Sequence, residues 1–236
     1  MKQGFNWNRI AQLVVVLLCA FTLKLYYSTA SANQLRWILA PTTAIVELVS
    51  GTGFEFESQA GYISTDHSFL IAPSCAGVNF LIAAFLMLSI RKLLSDRSWA
   101  FIPVAFLIAY VVTLVANAAR ISVALRMPAE INWMNPEQLH RFEGIFIYFG
   151  FLLMLFVISE TLSSKTTSGL LRKSFFPLFV YYAAALGIPL ANGAYRQGRD
   201  FWEHSLFVLL IPLLLIGPLA MFLLWRSRAS ENLSSH

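Results

Sequence analysis

The sequence predicts an all-α polytopic membrane protein of about six transmembrane helices, with a small extracytoplasmic β-hairpin region ahead of the second span. Three observations carry this prediction. Of the 236 residues, 58% are hydrophobic and only 12% are charged, too little polar surface to coat a soluble globule of this size. The apolar residues gather into six runs suited to crossing about 30 Å of hydrocarbon. Lys and Arg sit in short clusters between those runs, as membrane topology requires. The chain therefore reads as one integral membrane domain, 1–236, with an extracytoplasmic segment at 28–74 and a C-terminal two-helix segment at 175–226. A net charge of +5 spread over such clusters points to membrane lipids as partners and not to nucleic acid.

The first span runs from Ile10 to Tyr27, preceded by Lys2 and Arg9. Ala30-Ser31-Ala32 resembles a signal-peptidase site, but Lys24 interrupts the stretch before it and the apolar run is long for a signal peptide, so a retained anchor is expected. Cys19 lies near the middle of this span and Cys75 at an outer helix entrance, depths that do not suit a disulfide, so Cys19 is expected to pack. Beyond the span, Leu35 to Val49 is apolar with Pro41 inside it, which suits an interfacial or re-entrant helix. Phe54-Glu55-Phe56-Glu57 then alternates with period two, and Tyr62-Ile63 and Phe69-Leu70-Ile71 follow the turn residues Gln59-Ala60-Gly61. This predicts a hairpin or three short strands leading into Pro73 and Cys75.

The remaining spans are expected at Val78–Leu94, Trp99–Ala119, Gly144–Leu162, Phe175–Ala191 and Ser205–Trp225. Lys2, Arg9, Arg91, Lys92, Arg97, Lys165, Arg172, Lys173, Arg226 and Arg228 then share one side, which makes it the cytoplasmic side and places both termini there. Pro103, Pro177, Pro189, Pro212 and Pro218 lie in or beside spans and are expected to kink them.

Three reactive side chains fall on the opposite side. Cys75 is expected to open the second span, where free backbone N–H groups and the helix dipole favour the nucleophilic thiolate. Gly77 leaves room for a peptide backbone, and Asn79 offers Cys75 a polar neighbour on the same helix face. Arg120 is expected at the outer end of the third span, with Asn117 one turn earlier to orient the guanidinium. His140 precedes the fourth span, and Glu143 is spaced to accept one of its ring N–H groups. His67, eight residues before Cys75, is the reserve base. Asp66, His67, Asp200 and His204 lack metal-ligand spacing, and no phosphate-binding glycine pattern occurs, so neither a metal nor a cofactor is expected.

Cys75-Ala76-Gly77, Asn117-Ala118-Ala119-Arg120 and His140, in this order and on one face of the membrane, resemble the motifs of the exosortase and archaeosortase family of membrane cysteine transpeptidases. The likeness covers a core of about 62–160, and Ala76 and Arg141 depart from common family residues, marking a divergent subfamily. The resemblance implies a bacterial inner-membrane enzyme that processes exported proteins carrying a C-terminal transmembrane sorting signal. Cys75 would form a thioester, Arg120 would stabilise the oxyanion and His140 would shuttle protons, with water or an amine-bearing acceptor completing the reaction. Two other classes compete: a transporter subunit or assembly scaffold with a polar cavity, and an intramembrane protease using Glu143 or Glu160.

Overall fold

The computed structural model describes residues 7–95, 98–126, 136–163, 175–187 and 201–217, with positions 190, 193, 196 and 198 between the last two stretches. Arg97, Pro189, Asp200, Pro218 and the later parts of the fifth and sixth expected spans lie outside the described residues. The chain divides into two compact units, Met1–Ala129 and Glu130–His236.

The first unit contains α1 (Trp7–Thr29), α2 (Arg36–Ser50), strands β1 (Phe54–Glu57), β2 (Gly61–Ser64) and β3 (Leu70–Ile71), a 3-10 turn (Pro73–Cys75), α3 (Val78–Ser95) and α4 (Phe101–Arg126). Of the apolar window in α3, 67% is buried, against 17% in α1, so α3 is the central helix and α1 a peripheral one. Two contacts fix their direction. Asn79 at the start of α3 accepts from the Lys24 ammonium near the end of α1 at 2.8 Å. At the other end, Trp99 donates its indole N–H to Asn8 at 2.9 Å. Hence α1 runs antiparallel to α3 and in the same sense as α4.

Spacing decides which faces meet. On α1 the buried residues are Gln12, Val16 and Ala20, and the same i+4 row continues to Lys24. On α4, Ala105, Ala109, Thr113 and Asn117 form a buried row of the same period, closed by Arg120 and Ile121. Small side chains let helices approach closely where lipid supplies no hydrophobic drive for association. That row therefore holds α4 in place and delivers Asn117 and Arg120 to one end of the unit. Phe85 of α3 meets Phe106 of α4 edge-on, with ring centroids 5.7 Å apart.

Helix α2 lies along α4 in the same direction. Trp37 stacks on Tyr110, midway along α4, at 5.7 Å, and Arg126 at the end of α4 donates to the carbonyl of Val49 at 3.0 Å. The expected helix at Leu35–Val49 is therefore present as α2, packed along α4. Pro41 sits inside α2 and has no N–H for the carbonyl one turn back, that of Trp37. The Tyr110 hydroxyl supplies the missing donor at 2.7 Å. Helix α2 ends at Gly51, whose left-handed backbone (φ 74) closes a turn onto the Glu47 carbonyl. The Glu47 carboxylate in turn accepts the N–H of Phe54 and starts β1.

The sheet is antiparallel in the order β1-β2-β3, pairing Glu55 with Ile63 and Ile63 with Leu70. This is the three-strand alternative. Gly61 is required here, because a Cβ would collide with the carbonyl of Ile71 on β3. Arg36 lies 4.7 Å over the ring of Phe56 and ties the sheet to α2.

The second unit contains α5 (Pro136–Ser163), α6 (Phe175–Gly187), whose last residues Ala183–Gly187 widen into a π turn, and α7 (Phe201–Gly217). Phe149 meets Tyr181 at 5.4 Å and Phe156 meets Phe176 at 6.3 Å, so α6 runs antiparallel to α5. The Tyr182 hydroxyl donates to the carbonyl of Leu209 at 2.6 Å and joins α6 to α7.

Several expectations change. Among the described residues four helical stretches, not six, are long and apolar enough to cross a membrane: Trp7–Thr29, Pro73–Leu93, Phe101–Arg126 and Arg141–Leu162. The described parts of the last two expected spans, Phe175–Gly187 and Phe201–Gly217, are shorter. Helix α4 continues to Arg126, so Arg120 lies within it and not at its end. Cys19 is exposed on the outer face of α1 instead of packed, and both cysteines are free.

Candidate active site

Ala72 is extended, and Pro73 follows with its fixed φ and starts a single 3-10 turn. The N–H of Cys75 donates to the carbonyl of Ala72 at 2.8 Å and that of Ala76 to Pro73 at 3.0 Å. Gly77 then adopts φ 72, a left-handed conformation that redirects the chain, and its carbonyl receives the N–H groups of Phe80 and Leu81. Cys75 thus closes a short turn ahead of α3 and does not open the helix. The sequence reading merged the two because a 3-10 turn and an α-helix share their apolar composition. Gly77 has the role of a hinge between them. Asn79, consequently, is not on a helical face shared with Cys75, and its exposed amide pairs with Lys24 instead.

The residue that does reach the Cys75 turn comes from α4. The side-chain NH2 of Asn117 donates to the carbonyl of Cys75 at 2.6 Å, while its carbonyl oxygen accepts from Arg120 Nε at 3.4 Å. The two partners fix the amide orientation, since a flipped amide would set donor against donor and oxygen against oxygen. Asn117 is fully buried, and Arg120 is only 8% exposed. A guanidinium so withdrawn from water is a functional candidate, because ionised side chains within membrane helices are costly and mark sites of function.

Helix α1 adds two groups that the sequence reading did not assign to the site. Tyr27, one turn beyond Lys24, donates its hydroxyl to the carbonyl of Ser74 at 3.4 Å. The phenol interacts electrostatically with both the Cys75 thiol and the Arg120 guanidinium. The Lys24 ammonium lies 5.6 Å from the centre of the Tyr27 ring. A thiol, a guanidinium, a phenol and an ammonium therefore gather at one end of the first unit, beside the sheet. Arg91 and Lys92 belong to the far end of α3.

The remaining candidates lie elsewhere. His67 occupies the exposed tip of the β2–β3 loop with φ 56, its N–H bonded to the Ser64 carbonyl at 2.8 Å. Beside it, hydroxyls of Ser64 and then Ser68 hold the Asp66 carboxyl down at about 2. His140 belongs to the second unit, early in α5 and just before its apolar stretch Arg141–Leu162, as expected, and its side chain lies outside the described residues. Glu143, less than one turn further along α5, is buried. His204, at the start of α7, is within electrostatic reach of Arg141, which brings a second imidazole toward the same end of α5.

Comparison with known proteins gives one finding. A family model described as transmembrane exosortase (Exosortase_EpsH) matches residues 5–157, which covers the three sequence motifs and reaches upstream through α1. No curated protein and no solved structure matches the chain.

Proposed function

The chain belongs to the transmembrane exosortase family, and from that premise we propose that it is a membrane-embedded cysteine peptidase and transpeptidase acting on exported proteins with a C-terminal transmembrane sorting signal. The observation that supports this reading best is the bridge from the Cys75 carbonyl through Asn117 to Arg120, which draws a thiol and a buried guanidinium to one end of one unit.

In this reading the Cys75 thiolate attacks the scissile amide carbon and the carbonyl electron pair moves to oxygen. Arg120 stabilises that oxyanion, as a donor aimed at developing charge does best in a water-poor site. Collapse restores the carbonyl and breaks the C–N bond, and His140 gives the departing amine its proton. The thioester is then opened by water or by an amine acceptor that His140 deprotonates. The basic residues Arg91 and Lys92, at the far end of α3, argue that the Cys75 end is extracytoplasmic in a bacterial inner membrane with both termini cytoplasmic.

The test is replacement of Cys75 by Ala and by Ser in the native host. Exported proteins with a C-terminal helix should accumulate as unprocessed precursors in both variants, and the wild type should form a hydroxylamine-sensitive adduct. Normal processing in both variants would remove the reading and favour a non-catalytic scaffold.

A further inference from the structure

We propose that Tyr27 is a second oxyanion donor of this site, so that α1 contributes chemistry as well as anchorage. The proposal rests on the thiol reading above. Its basis is the position of the phenol. The row that faces α3, Gln12, Val16, Ala20 and Lys24, carries α1's last turn against the segment that bears Cys75, so the hydroxyl of Tyr27 meets the carbonyl of Ser74, the residue before the nucleophile. At 3.4 Å that bond is long for an O–H donor, whose usual range is about 2.5–3.0 Å. A donor held so loosely can turn to a stronger acceptor when one forms. The Lys24 cation, 5.6 Å from the centre of the ring, favours this, since it draws electron density from the phenol and strengthens its O–H as a donor.

The electron count is simple. As the sulfur–carbon bond forms from the thiolate pair, the π pair of the carbonyl moves to oxygen. Arg120 and Tyr27 each donate a hydrogen bond to that oxygen, and Tyr27 keeps its proton throughout. On collapse the pair returns, the leaving group departs with its own bonding pair, and the phenol turns back to Ser74. A single guanidinium leaves part of the oxyanion's lone-pair capacity unmet, and a neutral O–H fills it without adding charge to a buried site.

The probe is p-nitrophenyl acetate with the full chain in lipid nanodiscs and Cys19 replaced by Ser. Its nitrophenolate leaves without a proton, so the first-turnover burst of release, which precedes thioester opening, needs no proton from His140. Tyr27→Phe, which removes one oxygen atom, should slow Cys75-dependent nitrophenolate release about 10²-fold. Alkylation of Cys75 by iodoacetamide passes through no oxyanion, and its rate should stay within about twofold, as that reaction reports only the thiol and its turn. If release is unchanged, or if release and alkylation fall together, Tyr27 is not an oxyanion donor. The thiol reading is tested apart from this: release that persists in Cys75→Ala removes that reading, whereas release lost in Cys75→Ala but unaltered in Tyr27→Phe removes only the role of Tyr27.

Discussion

Asn117 holds two groups with one amide. Arg120 depends on it for the direction of Nε, and the Cys75 turn depends on it for a buried donor. Lys in place of Arg120 keeps the charge but loses the planar fork and the Nε–H that Asn117 receives. Arg120→Lys should therefore lower kcat for peptide cleavage by about 10²–10³-fold, as loss of an oxyanion donor does, with precursor still bound in a pull-down assay. The exposed loop makes a contrasting case. The Asp66 carboxyl lies well below its ordinary 3.8 because serine hydroxyls bind its ionised form. Its hold on the loop is therefore complete above about pH 5 and is lost only as pH falls through about 2. Hydrogen exchange at the Ser68 amide, corrected for its intrinsic rate, should be flat from about pH 5 to pH 9 and should rise in Asp66→Ala. At this scale the sequence disclosed the chemistry-bearing residue types of Cys75, Asn117 and Arg120, whose local motifs are short but ordered. Tyr27 was hidden. An aromatic near a span end reads as an interface anchor, and its role depends on a pairing with a segment 47 residues away.

Elements explain what single residues cannot. Pro41 removes the donor for the Trp37 carbonyl, and Tyr110 from another helix replaces it, so α2 is closed onto α4 by a bond neither helix can make alone. Tyr110→Phe should cost about 1–3 kcal/mol of stability through the orphaned carbonyl. Adding Pro41→Ala restores an internal donor, so the penalty of Tyr110→Phe should shrink in that background, a coupling that a double-mutant cycle in detergent unfolding would measure. The sequence showed that this segment was helical but not which helix it packs against, because an apolar face does not name its partner. Apolar periodicity likewise revealed α1, α3, α4 and α5. It misjudged the end of α4, since Arg120 and Arg126 look like a boundary, and the buried row from Ala105 to Asn117 carries the helix past the first of them.

At the scale of the first unit, antiparallel helices sort its polar groups to opposite ends. Cys75, Lys24, Tyr27, Asn117 and Arg120 gather at one end, and Asn8, Trp99, Arg91 and Lys92 belong to the other. If the membrane lies between them, a reagent that cannot cross it should distinguish the two. In a variant without Cys19 and Cys75, a cysteine at the exposed Ser74 should label on intact cells and one at the exposed Ser98 only after the membrane is opened. Equal labelling of both would contradict the orientation. That Cys75, Asn117 and Arg120 share the end opposite Arg91 and Lys92 was legible from the order and length of the apolar runs alone.

The small-residue stretch after α1 has a further meaning. Ala32 is fully buried, and Ser31 is folded into a turn in which its backbone N–H donates to the Gln34 side chain at 2.8 Å. Within Ala30-Ser31-Ala32, Ala32 is packed into the protein while Ser31 stays exposed in the turn. Cutting the chain at this stretch would take Lys24 and Tyr27, with their bonds to Asn79 and Ser74, away from the Cys75 end of the unit.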